Sequence, residues 1–347
     1  MQATFKSLFS LLFCLTLTLL GGCRSEDLLT SAEQMKADKI LADSGKNSIA
    51  DYITNHAHKA DMELVLKYLK YFVSKGADVG DTALSAAVES GNVEIVKFLA
   101  SKGAIATLAN INVLNSSRSG HLVYATGTAV TEDVLEDTIF GISTNAISFE
   151  RAVEYYQWVE DKRSETRQKL GGGEETVTIY TYRQDWVTRP VDSSRFSAPN
   201  TREENKNTVI ANIEYYAVRA ENVSLGAYKL PKFLANSIHK DKDEPFTVEL
   251  SNEVIVALTQ QIAPNIPPSA APAVHVNGST VYLGSNPGLP SIGDIRVTFT
   301  RTAPSVEVSL IAQVVDNTFE AFRTQNGTRL ATLKVGVHSA ENMVTLF

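Results

Sequence analysis

The chain has 347 residues, of which 44% are hydrophobic and 20% are charged. This balance is typical of a globular protein, and the length allows for about two domains. The 32 Lys and Arg residues against 39 Asp and Glu residues give a net charge of −7, which argues against a nucleic-acid-binding protein because such proteins present a basic face to phosphates. With only two cysteines, the chain cannot form a dense disulfide framework or a cysteine-rich zinc site.

Residues 1–22 have the pattern of a secretory signal peptide. The apolar run Leu8–Leu20 is shorter than the ~20 residues needed to cross a bilayer, but its length suits a signal peptide. Two glycines then lead directly to Cys23, and this sequence resembles the lipobox of bacterial lipoproteins. The resemblance implies that the chain is cut before Cys23, that the Cys23 thiol carries diacylglycerol, and that acyl chains anchor the protein to a membrane. The alternative is an ordinary signal peptide with a chance cysteine.

Lipidation would make this an exported cell-envelope protein that faces the periplasm or the cell surface. Arg24 follows the cysteine. In lipoproteins of enteric-type bacteria, a residue other than Asp at this place usually permits export to the outer membrane. We therefore expect the outer membrane rather than the inner one.

Residues 23–60 are polar. Ser31 and Gln34 have the spacing of a capping box, which begins a helix. The pattern predicts a partly helical linker.

Residues 61–110 have helical periodicity and resemble an ankyrin repeat. An apolar stripe from Leu64 to Val73 predicts a helix that ends near Gly76. A Thr-x-Leu opening at Thr82, a small-residue helix, a glycine turn and a second helix before Gly103 then follow the ankyrin order. The resemblance implies a protein-binding surface, and the alternative is a helical cap that docks on the next domain.

From residue 121 to residue 347 the pattern changes to short alternating segments separated by Gly, Pro and Asn. A long hairpin is predicted from two strands, with the charged stretch Glu160–Lys169 and three glycines as its exposed tip. A short helix over Leu230–Ile238 and an extended Pro-rich connector over Ala263–Pro272 are also predicted. The predicted strands are Arg151–Val159, Thr176–Tyr182, Ile210–Val218, Phe246–Leu258, Val274–Val276, Val281–Leu283, Ile295–Phe299, Val306–Val314 and Leu330–Val335.

These patterns together predict the α+β class. An N-terminal ankyrin-like helical segment is followed by a β-dominated domain of barrel-like or sandwich-like character.

Four blocks within residues 121–347 resemble the LUMA (transmembrane protein 43) family. They are Tyr155–Glu160, Tyr180–Trp186, Pro290–Phe299 and Gly336–Met343, in the family's order. The resemblance implies a large non-cytosolic β-rich domain held at a membrane, with a role in membrane organisation and scaffolding and no established enzymatic activity. Family members continue into C-terminal transmembrane helices after the last block, so we expect the lipid on Cys23 to replace that anchor here.

The resemblance also selects a set of residues whose role it does not define, which we call the motif residues. They are Tyr156, Gln157, Trp158, Tyr182, Trp186, Gly293, Asp294, Arg296 and His338. The aromatic members could line a groove for sugars or peptides, or they could form cross-strand core pairs.

No catalytic motif is present in the sequence. Nucleophile elbows, metalloprotease helices and phosphate loops are absent, and Gly171–Gly173 suits a hairpin turn better than a phosphate cradle. His56 and His58 could bind a metal only on a strand, because residues two apart diverge on a helix. We therefore predict no catalytic residue, metal or cofactor.

Three functions are consistent with the sequence. The first is a lipid-anchored scaffold or protein-interaction module, whose partners bind the ankyrin-like helices or the β-domain. The second is a binding protein for an envelope glycan, peptide or lipid. The third is a hydrolase with an unrecognised site.

Overall fold

The computed structural model describes residues 29–57, 61–238, 243–266, 270–324 and 327–344. The predicted signal peptide and Cys23 lie outside these ranges. The helices are α1 Ser31–Ser44, α2 Ser48–His56, α3 Met62–Ser74, α4 Asp81–Glu89, α5 Val93–Ser101, α6 Pro199–Glu204, α7 Lys232–Ala235, α8 Asn252–Ile262 and α9 Ala340–Val344.

Most strands follow the helices α1–α5. They are β1 Ala106–Thr107, β2 Leu122–Val130, β3 Val134–Asp137, β4 Ile142–Asn145, β5 Ser148–Gln168, β6 Glu174–Val187, β7 Tyr216–Arg219, β8 Val223–Leu225, β9 Tyr228–Leu230, β10 Asp243–Pro245, β11 Ala273–Asn277, β12 Thr280–Gly284, β13 Ile295–Thr302, β14 Ser305–Val315, β15 Thr318–Glu320, β16 Phe322–Arg323, β17 Arg329–Leu330 and β18 Thr332–Val335.

The strands form two larger sheets. In one sheet the hydrogen-bonded order is β1-β2-β8-β9-β15-β14-β18, and β2 also pairs with β14, so five strands close into a barrel. In the other sheet the order is β11-β12-β13-β5-β6, with β10 paired to β13 and β7 paired to β5. The predicted fold class, helices followed by a β-rich region, is confirmed.

The chain divides into two compact units. The first unit contains the described residues up to Gly127, together with Gly226–Tyr228 and the residues from Val308. The second unit contains Thr128–Leu225 and Lys229–Glu307.

The core of the first unit is built from α1 to α5. Helix α2 packs against α4, and Ile49 and Ile53 of α2 are fully buried with Leu69 and Leu84. The segment predicted to be a polar linker therefore contributes an apolar helix to this core, because Ile49, Ala50, Tyr52 and Ile53 fall on one helical face.

Local chemistry fixes the start of α1 and the ends of α3 and α5. Helix α1 begins with a capping box made by Thr30 and Glu33, one residue before the predicted pair. Gly76 and Gly103 have φ of 82° and 92° directly after α3 and α5, a conformation that glycine adopts without strain. Helices α3 and α5 thus end in the same way, each followed by a glycine with positive φ.

The long hairpin of the second unit is formed by β5 and β6. Residue pairing runs without a break from Tyr155 opposite Val187 to Gln168 opposite Glu174. The hairpin prediction is correct, but the charged stretch after Val159 is strand as far as Gln168 rather than loop. The β6 residues opposite positions 160–166, Thr176–Tyr182, are β-branched and aromatic, and cross-strand pairing with them outweighs the weak strand preference of the charged residues.

Three further elements differ from the prediction. Phe246–Leu258 is not a strand, since α8 begins at Asn252, where the Ser251 hydroxyl accepts a hydrogen bond from the Val254 N–H. Only the last part of the predicted strand at Ile210–Val218 is a strand, and Ile210 and Ile213 are instead buried in irregular backbone. The predicted extended connector begins with a 3₁₀ turn at Ala263–Asn265.

Candidate functional site

Three motif residues of the second unit gather at the base of the β5–β6 hairpin. Tyr156 of β5 lies opposite Trp186 of β6, and the centres of their rings are 5.3 Å apart. The guanidinium of Arg296, on β13, lies 4.5 Å from the centre of the Trp186 ring. Arg296 also forms a half-exposed ion pair with Glu154 directly across the strands, at 2.7 Å. Trp186 therefore contacts both an aromatic ring, tilted by 56°, and a cationic side chain.

Asp294 is the buried anchor of the loop before β13, with an exposed fraction of 3%. Its carboxylate accepts hydrogen bonds from the Tyr282 hydroxyl and, at 2.8 Å, from the Ser291 N–H. Burial raises the pKa of Asp294, although both hydrogen bonds oppose the change. Burial, together with the bond to Asp294, raises the pKa of Tyr282 as well.

Gly293 allows this loop to approach its neighbours closely. Its φ is +101°, and a Cβ at this position would lie 2.7 Å from the Thr208 hydroxyl. Its N–H donates to the Tyr156 carbonyl at 2.9 Å, and the Tyr156 N–H donates to the Asp294 carbonyl at 2.9 Å. Gly293 and Asp294 thus extend the β5–β13 ladder beyond the end of the strand.

Gln157 and Trp158 hold the segment after the hairpin, residues 188–209, which we call the connecting segment. The amide of Gln157, 1% exposed, donates to the Thr208 carbonyl at 3.1 Å and accepts from the Val191 N–H. The side chain of Asn207 bonds both the N–H and the carbonyl of Trp158, at 2.8 and 3.0 Å.

Tyr182 completes the attachment of the connecting segment. Its hydroxyl donates to Glu160 at 2.6 Å, and Glu160 also accepts from the backbone and hydroxyl of Ser197. The Tyr182 bond, assisted by the Ser197 bonds, lowers the pKa of Glu160. Phe196 packs on the Tyr182 ring at 5.4 Å.

His338 belongs to the first unit, apart from the other motif residues. The ring Nε2 of His338 lies 2.8 Å from the Val335 carbonyl. Its backbone N–H donates to the Ser309 hydroxyl at 2.9 Å, and its backbone carbonyl accepts from the Tyr124 hydroxyl at 2.6 Å. These contacts fasten the chain after β18 to β2 and β14.

A cleft of about 500 Å³ opens beside the connecting segment, and sequence reasoning did not find it. Its lining combines the exposed aromatic ring of Tyr215 with polar side chains such as those of Asn212 and Glu214. Its lining residues come from segments that are separate in the sequence, so no local pattern predicts it. The motif residues are not among its lining residues, which include Tyr155, Arg189, Asn212, Glu214, Tyr215 and Asn265.

Within the described ranges, no three His, Cys, Asp or Glu side chains are grouped as metal ligands would be. His56 stacks on Tyr52 with ring centres 4.2 Å apart. His58, the second residue of the pair considered above, lies outside the described ranges.

Comparison with known proteins decides the family. The family model for Transmembrane protein 43 matches residues 155–346, more than half of the chain, and includes every motif residue. The chain belongs to the transmembrane protein 43 family. An Ankyrin repeat model also matches residues 79–116, which include α4 and α5, so the resemblances to these two families that were inferred from the sequence are confirmed.

The curated transmembrane protein 43 relatives are distant. Human Transmembrane protein 43 is 26% identical over 244 residues, 67% of this chain and 55% of the human protein. The homolog from Drosophila melanogaster is 22% identical over 230 residues, 65% of this chain and 55% of the fly protein. The chain thus spans about half the length of these relatives. No solved structure matches it.

Family membership is consistent with a membrane-associated protein, and the ankyrin repeat with a capacity for protein interaction. None of the helices in the described part of the chain combines the length and the apolar character needed to cross a membrane.

Proposed function

We propose that this chain is a lipid-anchored cell-envelope protein that organises other proteins at a membrane by binding them, without catalysis. The proposal is supported by the hydrogen bonds that the motif residues form within their own unit. The polar groups of Gln157, Tyr182 and Asp294 bind backbone or side-chain groups of the same unit. Side chains used in this way maintain the shape of a domain and its surface, which is what a scaffold requires.

The ankyrin-matched segment supplies a candidate contact surface. Val113 and Leu114 near its end are 60% and 52% exposed. Exposed neighbouring apolar side chains are typical contact points for protein partners. We propose that a partner protein covers them.

Crosslinking in intact cells, followed by mass spectrometry of co-purified proteins, tests this role. The double substitution Val113→Asp and Leu114→Asp is expected to abolish recovery of partners. Met35→Asp is a control, because Met35 is also an exposed apolar residue of the same unit, at 74%, and lies outside the ankyrin match. Recovery of the same partners from the double variant would refute the assignment of this surface, and recovery of the unmodified chain alone would refute the scaffold role.

The cleft beside the connecting segment favours a second candidate function, the binding of an envelope glycan. Tyr215 is 58% exposed at its edge, and an exposed tyrosine beside amide and charged groups is suited to stacking on a sugar ring. Peptidoglycan fragments are the probe. Saturation-transfer NMR should detect their binding to the parent chain and not to the Tyr215→Ala variant, and equal signals from both would exclude the cleft as the site.

A further inference from the structure

Strand β6 is the last strand of its sheet, so one of its edges has no neighbouring strand in the described part of the chain. Over Glu174–Arg183, the backbone hydrogen bonds given by the described residues run only to β5. The register is continuous, without the bulge that commonly twists an exposed edge away from other chains. A long regular edge of this kind is a template for another strand.

The composition of this edge also lacks the usual protection. Thr176–Tyr182 consists entirely of β-branched and aromatic residues, with no charge, proline or glycine. Natural edge strands are commonly protected by lysines, prolines or bulges in such positions, because uncharged β-forming segments pair readily with one another. The central part of β6 is therefore suited to pairing rather than protected against it.

Symmetry limits how two copies of this edge can pair. Two identical edges that pair antiparallel are related by a two-fold axis perpendicular to the sheet. Such an axis leaves each side chain on the same face of the sheet in both copies. Because successive side chains alternate between faces, only residues of the same face can lie opposite each other. One residue must therefore lie opposite itself in the partner copy.

The charged residues of β6 distinguish between the registers in which one residue lies opposite itself. With Ile179 opposite Ile179, Glu175 of each copy lies opposite Arg183 of the other. Both are exposed side chains that also form salt bridges within their own hairpin. Moving the axis one residue forward to Tyr180 places Glu175 opposite Asp185, a like-charge pair, which is unfavourable across strands. Moving it one residue back to Thr178 removes the ion pairs. We propose that β6 pairs with β6 of a second copy of this chain, antiparallel and centred on Ile179.

This inference rests on the interaction role proposed above and names one partner for it. The two have separate readouts, because the edge pairing involves β6 and the recovery of other proteins involves Val113 and Leu114. A chain that fails to pair through β6 can therefore still bind other proteins, and a chain that binds no other protein can still pair through β6.

Cysteine crosslinking of the full-length chain tests the register. Opposing residues in an antiparallel pair have Cα atoms about 4.5–5.5 Å apart, so Ile179→Cys should form a disulfide-linked dimer under mild oxidation. With this register Thr178 lies opposite Tyr180, and the two copies of Thr178→Cys are diagonal neighbours about 7–8 Å apart, beyond the reach of an unstrained disulfide. The parent chain, which carries no substitution in β6, gives the background.

A dimer band from Ile179→Cys above the background and above Thr178→Cys supports the proposal. Equal bands from the two variants, a stronger band from Thr178→Cys, or no band above the background would overturn it.

A charge substitution gives a second test that does not depend on disulfide formation. Glu175→Lys places a lysine opposite Arg183 twice in the dimer and should weaken self-association by roughly tenfold. Glu174→Lys changes the same charge one residue away but lies opposite Gln184, so it should leave the dimer unchanged. Analytical ultracentrifugation of the two variants, with circular dichroism to confirm folding, measures the difference. Equal association constants for the two variants would contradict the register.

Discussion

At the scale of single residues, Gln157 shows how a family motif acts through its hydrogen bonds. The two ends of its amide bind Val191 and Thr208, the two sides of the connecting segment. Gln157→Leu keeps the size of the side chain but leaves both backbone groups without this partner. We expect the free energy of unfolding to fall by about 1–3 kcal/mol, as measured by urea denaturation.

The matched control for this substitution is Gln168→Leu, at the exposed end of the same strand. Its side chain lies in solvent, and surface substitutions of this kind usually change stability by less than about 0.5 kcal/mol. Similar losses from the two variants would show that Gln157 does not hold the connecting segment through its amide.

Asp294 is expected to make stability depend on pH. Because its pKa is raised in the folded protein by burial, its contribution is fully present below the unfolded value of about 3.9 and is lost as the pH rises through the folded value. Asp294→Asn carries no charge, and its amide oxygen can still accept the bonds from Tyr282 and Ser291. The free energy of unfolding of the parent chain, relative to that of Asp294→Asn, should therefore decrease as the pH rises above about 4.

Denaturation of both chains at a series of pH values measures this difference, and the other carboxylates cancel in the comparison. Parallel curves would mean that the carboxyl of Asp294 titrates as it does in the unfolded chain.

At the scale of secondary-structure elements, α2 is expected to be part of the helical core rather than a linker. Ile49 is fully buried between α2 and the helices that follow it. Ile49→Ala should lower the free energy of unfolding by about 2–5 kcal/mol, since it removes buried methyl groups and leaves a cavity. Met35→Ala on exposed α1 should have little effect, and an equally small effect of Ile49→Ala would contradict the packing of α2.

The elements that sequence reasoning predicted correctly have strong local signals. Alternation and the glycine turn predicted the β5–β6 hairpin, and helical spacing with Gly76 and Gly103 predicted the ankyrin-like helices. Helix α8 was missed because its apolar residues suit a strand equally well, and the deciding signal is the Ser251 cap at its start. The strand character of residues 160–168 depends on their partners across the hairpin, which composition alone does not reveal.

The sequence predicts which residues belong to the candidate site, but not the groups that they contact. The motif residues were identified by their blocks, but their partners Asn207, Thr208 and Ser197 lie in irregular backbone some distance along the chain. Contacts of this kind depend on tertiary packing and leave no periodic pattern in the sequence. The cleft lined by Tyr215 is likewise formed by segments that are separate in sequence.

At the scale of the whole molecule, the proposed function depends on how the chain reaches a membrane. Acyl chains on one cysteine bind a bilayer in proportion to their buried methylene groups, and more than one chain gives stable anchoring. The family blocks and the ankyrin repeat would then be held at the membrane surface, where a scaffold meets its partners.

Membrane fractionation of cells that express the parent chain, Cys23→Ala or Cys14→Ala, with intact-mass analysis of each product, tests this claim most directly. Cys14→Ala is the matched control, because it removes the chain's other thiol from within the apolar run of the signal. We expect the parent chain and Cys14→Ala to fractionate with membranes and to carry the mass of a cleaved, lipidated chain, whereas Cys23→Ala should be released into the soluble fraction. A Cys23→Ala protein that stays with the membranes, or a parent chain that is uncleaved and unmodified, would contradict the account.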